Sequence, residues 1–358
     1  MIKKTKQKKN LKVVVAMSGG VDSSVAAALL KEAGFDVIGV FMKFWAGDDL
    51  NKEYNRCCSK ESEKRARKVA DVLKIPFYVI NFKRKFKRKI VDPFLVAYKK
   101  GITPNPCVVC NKEIKFGLLL KKTKSLGANL IATGHYARIE KENNSLALVK
   151  AKDKEKDQSY FLWKLNQNQL KHILFPVGGY MKSEVRKMAK DFKLSVFDAA
   201  ESQEVCFIPR TTTEFLKKYL KTKPGRIINV KGKVLGEHQG LWFYTIGQRK
   251  GIKLPKGPFY VVAKDKKKNL LIVSKNKKDL YQKQAFLKEV NWISKQAPKF
   301  LKIKAKIRYR QKLAKARIVN IKNKYVLIFD KPQKAIAPGQ SAVFYEKNRL
   351  LGGGIIVL

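Results

Sequence analysis

VVVAMSGGVDSSVAAALL, residues 13–30, decides how this chain is read. It opens on an unbroken apolar run, the pattern of a strand covered on both faces of a parallel sheet. Gly19 and Gly20 then turn the chain, and Val25, Leu29, Leu30 and Ala33 fall on one face of a helix that Gly34 stops. DVIGVFM (36–42) is the next strand. Strand, helix and strand within about 30 residues make a βαβ unit. A turn that leaves such a strand and enters a helix offers unpaired backbone N–H groups at a positive dipole end, where phosphates bind. Ser18 and Ser23 add hydroxyl donors, but the turn contains no lysine and matches neither the Walker pattern nor G-x-G-x-x-G. Asp22 would repel phosphate directly, so it is expected to cap the helix or to hold a magnesium ion.

Outward from that unit, PFYVINF (76–82) and ANLIATG (128–134) read as further strands of one doubly wound α/β domain. The pattern changes near residue 210. RTTTEFLKKYL (210–220) reads as a helix and KPGRIINVKGKVLG (223–236) as a turn and hairpin. LKIKAKIRYR (301–310) alternates strictly, with Leu301, Ile303, Ala305, Ile307 and Tyr309 on one side and basic residues on the other. A chain of 358 residues is too long for one ordinary core. The expected parts are a doubly wound α/β domain over 1–210, a small central α+β module over 211–280 and an all-β barrel over 281–358.

Lys and Arg number 79 against 28 Asp and Glu, a formal charge of +51, which fits a polyanionic partner such as RNA or DNA; compositional drift toward lysine would give the same count. No apolar run approaches the roughly 18 residues that cross a bilayer, and the basic start is not followed by the apolar core of a signal peptide. A cytoplasmic protein without a membrane partner is expected. The five cysteines are an odd number, so a disulfide framework is not. In GITPNPCVVCNKEIKFG (101–117), Cys110 stands at the start of a helical pattern with Lys112 and Lys115 behind it, a setting that favours thiolate and suits a nucleophile. Cys107 and Cys110 could instead be half of a zinc site completed by Cys57 and Cys58, although adjacent ligands are an awkward second half. Cys206, in ESQEVCFIP, could be a buried filler.

The segment Ser18 to Ser23 resembles the pyrophosphate-binding loop of the adenine nucleotide α-hydrolase superfamily, whose members split ATP between its α and β phosphates. With the two cysteine segments, GHYARI (134–139), KDQSYFL (156–162), GEHQGLWFYTIGQRKGI (236–252), RYRQ (308–311) and APGQSAVFY (337–345), the chain resembles the tRNA-specific 2-thiouridylase family of the MnmA type. The resemblance runs from about residue 12 to 357. Position 201 departs from it, being Glu where the family usually has Asp.

The resemblance implies replacement of the wobble-uridine 2-oxygen of tRNA by sulfur, using ATP and Mg²⁺, with no structural metal. It implies ATP binding by Ala16, Met17, Ser18, Gly19, Gly20, Val21, Asp22, Ser23, Met42 and Gly134. Cys206 would carry a persulfide delivered by a cysteine desulfurase or a sulfur-relay protein, and Cys110 would be the nucleophile that frees its sulfur. Asn105, Pro106 and Cys107 would touch the target base of the anticodon stem-loop. His135, Lys156, Asp157, Gln158, Arg308, Tyr309 and Gln340 would contact tRNA, each with a bland alternative such as a satisfied buried hydrogen bond. Two rivals stand beside this reading: an ATP-dependent ligase acting on a small carboxylate, and an RNA-binding protein that has lost catalysis.

Overall fold

The structure is a computed structural model that describes residues 11–47, 59–198, 205–294, 300–321 and 324–357. Cys57, Cys58 and Glu201 lie outside the described residues. Strands β1 (Lys12–Ala16), β2 (Asp36–Lys43), β3 (Phe77–Asn81) and β4 (Leu130–Thr133) are followed by a hairpin of β5 (Ala137–Glu142) and β6 (Ser145–Lys150), then by β7 (Ile173–Leu174). A parallel sheet runs in the order β3-β2-β1-β4-β7, so the chain reverses its direction of travel between β1 and β4. A ligand crevice opens at such a reversal, at the carboxyl ends of the strands.

The strands expected from the apolar runs are present. Val13, Val14 and Val15 are fully buried, each worth about 1.5–3 kcal/mol relative to exposure. Helix α1 (Val21–Glu32) is buried on more than the one face its periodicity suggests, because Ser23, Ser24 and three consecutive alanines, Ala26 to Ala28, are also covered. Small residues let it pack closely between the sheet and the helix Lys182–Asp191. Helix α2 (Lys60–Val72) starts on Ser59, whose hydroxyl accepts from Ser62 N.

The central module pairs β8 (Gly225–Asn229) with β9 (Val234–His238), the expected hairpin, and adds β10 (Tyr260–Asp265) and β11 (Leu270–Ser274) in the order β10-β11-β8-β9. The expected helix before it spans Thr212–Tyr219, capped by Thr211. The barrel is built from β12 (Tyr281–Trp292), β13 (Phe300–Lys306), β14 (Ala314–Ile321), β15 (Lys324–Lys334), β16 (Ser341–Glu346) and β17 (Arg349–Val357). These close as β12-β15-β14-β13-β16-β17 with β17 returning to β12, an antiparallel barrel of six strands.

Two features differ from the sequence reading. The β5–β6 hairpin, read from no pattern, joins the barrel sheet through β6 and β17, with Val149 opposite Arg349 and Leu148 opposite Leu350. The first domain is thereby stitched to the last. The alternating stretch 301–310 is a strand only to Lys306; Ile303, Ala305 and Ile307 are buried as expected, but the chain then turns, so Arg308 and Tyr309 point where the turn sends them.

Candidate active site

Gly19 adopts a positive φ of 74°, and a Cβ there would collide with the backbone of Ser62 on α2. A glycine is needed at this point both for conformation and for the close approach. Ser18 N donates to Ser23 Oγ at 3.1 Å, and the Ser23 and Ser24 hydroxyls donate to Gly20 O at 3.1 and 2.9 Å. Arg65 reaches in from α2, its Nε donating to Gly19 O at 3.1 Å. On the far side β4 is followed by Gly134, where a Cβ would stand 2.6 Å from Asp22 C and Ser23 N. The end of β4 and the start of α1 thus touch backbone to backbone.

Asp22 does not cap the helix as expected. Gly20 holds the N-cap position without any side-chain cap, and Asp22 Oδ1 instead accepts from Tyr136 OH at 2.9 Å and Lys182 Nζ at 2.6 Å. Lys182, whose side chain is largely buried, supplies the cation that the turn itself lacks. Neither Lys182 nor Arg65 is legible as a site residue in the sequence, since each comes from a distant element and neither forms a motif with the turn. Among the described residues no cluster of three or more His, Cys, Asp or Glu could hold a metal ion.

The crevice above β1 and β4 is a cavity of about 1090 Å³, beyond the roughly 300–1,000 Å³ usual for a small-ligand pocket. Ala16 to Ser23, Met42 and Gly134 line it, as do Asn105, Pro106, Cys107, Cys110 and Cys206. The two cysteines, 96 positions apart in the chain, therefore share one cavity with the glycine-rich turn. Cys110 and Cys206 are not joined by a disulfide.

The helical stretch over 106–125 begins at Pro106, with Asn105 before it, and winds as a π-helix over Asn111–Leu119. Cys110 thus stands a full turn inside it, not at its start, and is buried in the core cluster that also holds Val108 and Ile114. The thiolate expectation fails in this arrangement: burial pushes the Cys110 thiol up to about 11, with Lys115 pulling weakly in the other direction. Cys107 sits in the first turn and is half-buried.

The segment 101–105 before that helix is held by all three parts of the molecule. Thr103 N donates to Pro338 O at 3.0 Å, and Gln340 Nε2 donates to Thr103 O at 2.9 Å. Thr103 and Thr245 hydroxyls lie 3.2 Å apart, and Lys264 Nζ donates to Gly101 O at 3.2 Å. On the other wall, Cys206 is followed by Phe207, which is buried edge-on against Phe86, Phe94 and Phe215. Phe207 pins the segment and leaves Cys206 half-buried at the cavity.

The remaining candidates divide. His135, Lys156, Asp157, Gln158, Tyr309 and Gln340 line the cavity. His135 Nδ1 is 2.7 Å from Thr133 Oγ1, and burial, with Lys115 nearby, lowers its pKa well below the usual histidine value. The Asp157 carboxylate is taken up by Ala151 N, Ser159 N and Ser159 Oγ, the turn-capping alternative. Gln158 Oε1 accepts from Tyr136 N. Tyr309 leans on Phe161 at 4.5 Å and on Tyr160 at 5.9 Å, making an aromatic wall. Arg308 is not among the cavity residues; its Nη2 donates to Ile246 O and Ala335 O and ties the turn after β13 to the central module.

Residues 11–210 match the family model described as tRNA methyl transferase HUP domain, 213–275 the tRNA methyl transferase PRC-barrel domain, and 282–356 the aminomethyltransferase beta-barrel domain. A protein of Clostridium acetobutylicum named tRNA-specific 2-thiouridylase MnmA is 46% identical over 354 residues, which is 97% of this chain and 99% of that one. One of the same name from Clostridioides difficile is 43% identical over 97% of this chain and 98% of its own length. A solved 4-thiouridine synthetase–RNA complex with bound ATP is more distant, at TM-score 0.39 and 17% identity over 58% of this chain and 50% of that one. With identities of this size along nearly its whole length, the chain belongs to the tRNA-specific 2-thiouridylase MnmA family.

Proposed function

We propose that this protein is a tRNA-uridine 2-sulfurtransferase that uses ATP to activate the wobble-uridine 2-oxygen and cysteine thiols to replace it by sulfur. The observation that carries this reading is the shared cavity, in which the glycine-rich turn and the thiols of Cys110 and Cys206 face the same space. A uridine carbonyl oxygen is a poor leaving group. Attack by that oxygen on the α-phosphorus of ATP expels pyrophosphate and turns it into part of AMP, a good one. The turn from Gly19 to Ser23 and the ammonium of Lys182 line the cavity and would meet the phosphate charge, and interactions with charge that develops in the transition state carry the rate.

Cys206 carries the incoming sulfur as a persulfide. Cys110 attacks Cys206 Sγ, a Cys110–Cys206 disulfide forms, and the released sulfide attacks C2 of the uridine and expels AMP. The Cys110 thiol, raised by burial, must lose its proton before it attacks, and Lys115 is the nearby cation that favours its thiolate. Binding of an extruded uridine by Asn105 to Cys107 is supported by the aromatic pair of Phe161 and Tyr309 lining the same cavity, since bases taken out of a stack are held on aromatic side chains. Mg²⁺ would arrive with the ATP phosphates; in this turn Asp22 offers a carboxylate, and magnesium held mainly by substrate phosphates needs no more.

Division into a catalytic domain, 1–210, a central module, 211–280, and a barrel, 281–358, is supported by the spans of the three family models. The reading includes a cytoplasmic location and delivery of sulfur by a desulfurase or a relay protein; no helix among the described residues is long and apolar enough to cross a membrane. The family-model descriptions speak of methyl transfer, whereas cysteines facing a nucleotide site suit sulfur chemistry. The test is conversion of a uridine-34 tRNA by the full chain with ATP and a persulfide donor. Formation of 2-thiouridine that is lost in Cys110→Ser and in Cys206→Ser supports the reading. Turnover of ATP without tRNA would favour the small-carboxylate ligase, and binding of tRNA without pyrophosphate release an inactive RNA-binding protein.

A further inference from the structure

The proposed reaction leaves one product unattended, a disulfide between Cys110 and Cys206 that blocks reloading of Cys206. A third cysteine lines the same cavity. Cys107 precedes Cys110 by three residues on one continuous helical stretch, so the two side chains share a helix face, with Cβ atoms about 5–6 Å apart in such a pair. Disulfides need about 3.5–4.5 Å between Cβ atoms. The closure required is of the order of 1–2 Å, and movement of Cys107 supplies it from the first helical turn, where the leading N–H groups have no intrahelical partners to break. Cys107 is also the more accessible of the pair, half-buried where Cys110 is buried.

We propose that Cys107 is the resolving thiol that resets the enzyme: its thiolate attacks Cys110 Sγ, a Cys107–Cys110 disulfide forms, and Cys206 leaves as thiolate. This rests on the roles proposed for Cys110 and Cys206 in sulfur transfer. The exchange conserves disulfide bonds and electrons. The two electrons that reduced the persulfide sulfur to sulfide now come from Cys107 and Cys110, and an external dithiol returns them by reducing the pair before the next turnover. Exchange with a fixed neighbour on the same helix is effectively intramolecular and outpaces attack on Cys206 from solution.

The experiment loads the full-length protein with polysulfide, removes excess, adds ATP and uridine-34 tRNA without reductant, quenches in acid and maps alkylated tryptic peptides without reduction. The wild-type chain is expected to give peptide 101–112 lighter by two hydrogens, with Cys206 alkylated. Cys107→Ser is expected to give instead peptide 101–112 cross-linked to the Cys206 peptide, and at least tenfold less alkylated Cys206. A wild-type map dominated by the Cys110–Cys206 cross-link overturns the proposal, as does an identical map from Cys107→Ser. Thiolated tRNA from Cys110→Ser or Cys206→Ser in this same single turnover would instead remove the reading on which the proposal rests.

Discussion

Lys182 stands with its ammonium 2.6 Å from Asp22 and lines the cavity beside the glycine-rich turn, so nucleotide activation is predicted to depend on it. Lys182→Met is expected to slow tRNA-dependent pyrophosphate release by about 10²–10³-fold, the usual cost of losing one transition-state charge partner. Release within threefold of wild type would remove that role. Cys110 gives a second test. With its thiol pushed up to about 11, only a small fraction, below about one in a thousand, is thiolate at neutral pH. Its alkylation by iodoacetamide in the protein alone should climb about tenfold per pH unit between 7 and 9; a plateau near 8.5 would contradict the burial effect. The sequence placed Cys110 at a helix start from its lysines and prolines. It could not show that Asn105 precedes the helix a turn earlier, or that Cys110 is drawn into the main buried core.

At the scale of elements, the site exists because β4 and α1 meet without a side chain between them. Gly134→Ala would force a Cβ to 2.6 Å from the Asp22 and Ser23 backbone. The expected cost is about 1–3 kcal/mol of stability with loss of ATP binding, read by thermal unfolding with and without nucleotide. Unchanged nucleotide binding would mean the two ends can separate freely. Gln340 acts through position: it is a barrel residue whose amide holds Thr103 O. Gln340→Ala should lower kcat several-fold while leaving ATP KM near wild type, and equal effects on both would point to a merely structural role. Strands and the first helix were legible because apolar runs and period speak for local structure. The β5–β6 hairpin was not, because its residues alternate weakly and its reason for being a strand is β17, some 200 residues further along the chain. The turn after Lys306 was equally hidden, since Ile307 and Tyr309 continue the alternation that the backbone abandons.

Across the whole molecule, the three parts converge on residues 101–105 from the barrel, the central module and the α/β domain. RNA gripped by the basic exterior would thereby be coupled to the segment that leads into Cys107 and Cys110. With +51 formal charges, tRNA affinity should fall steeply with salt. Replacing Lys302 and Lys304, both exposed on β13, by Gln should reduce the slope of log K against log salt by about 0.7–0.9 for each phosphate these lysines neutralise. An unchanged slope would place the RNA elsewhere on the surface. The central claim is that the uridine 2-oxygen is activated by adenylation before sulfur replaces it. A tRNA whose wobble uridine carries ¹⁸O at position 2 tests this directly when it is thiolated by the full chain with ATP and persulfide. One ¹⁸O atom in AMP for each 2-thiouridine formed is the predicted result, and label appearing in water or inorganic phosphate, with none in AMP, would contradict it.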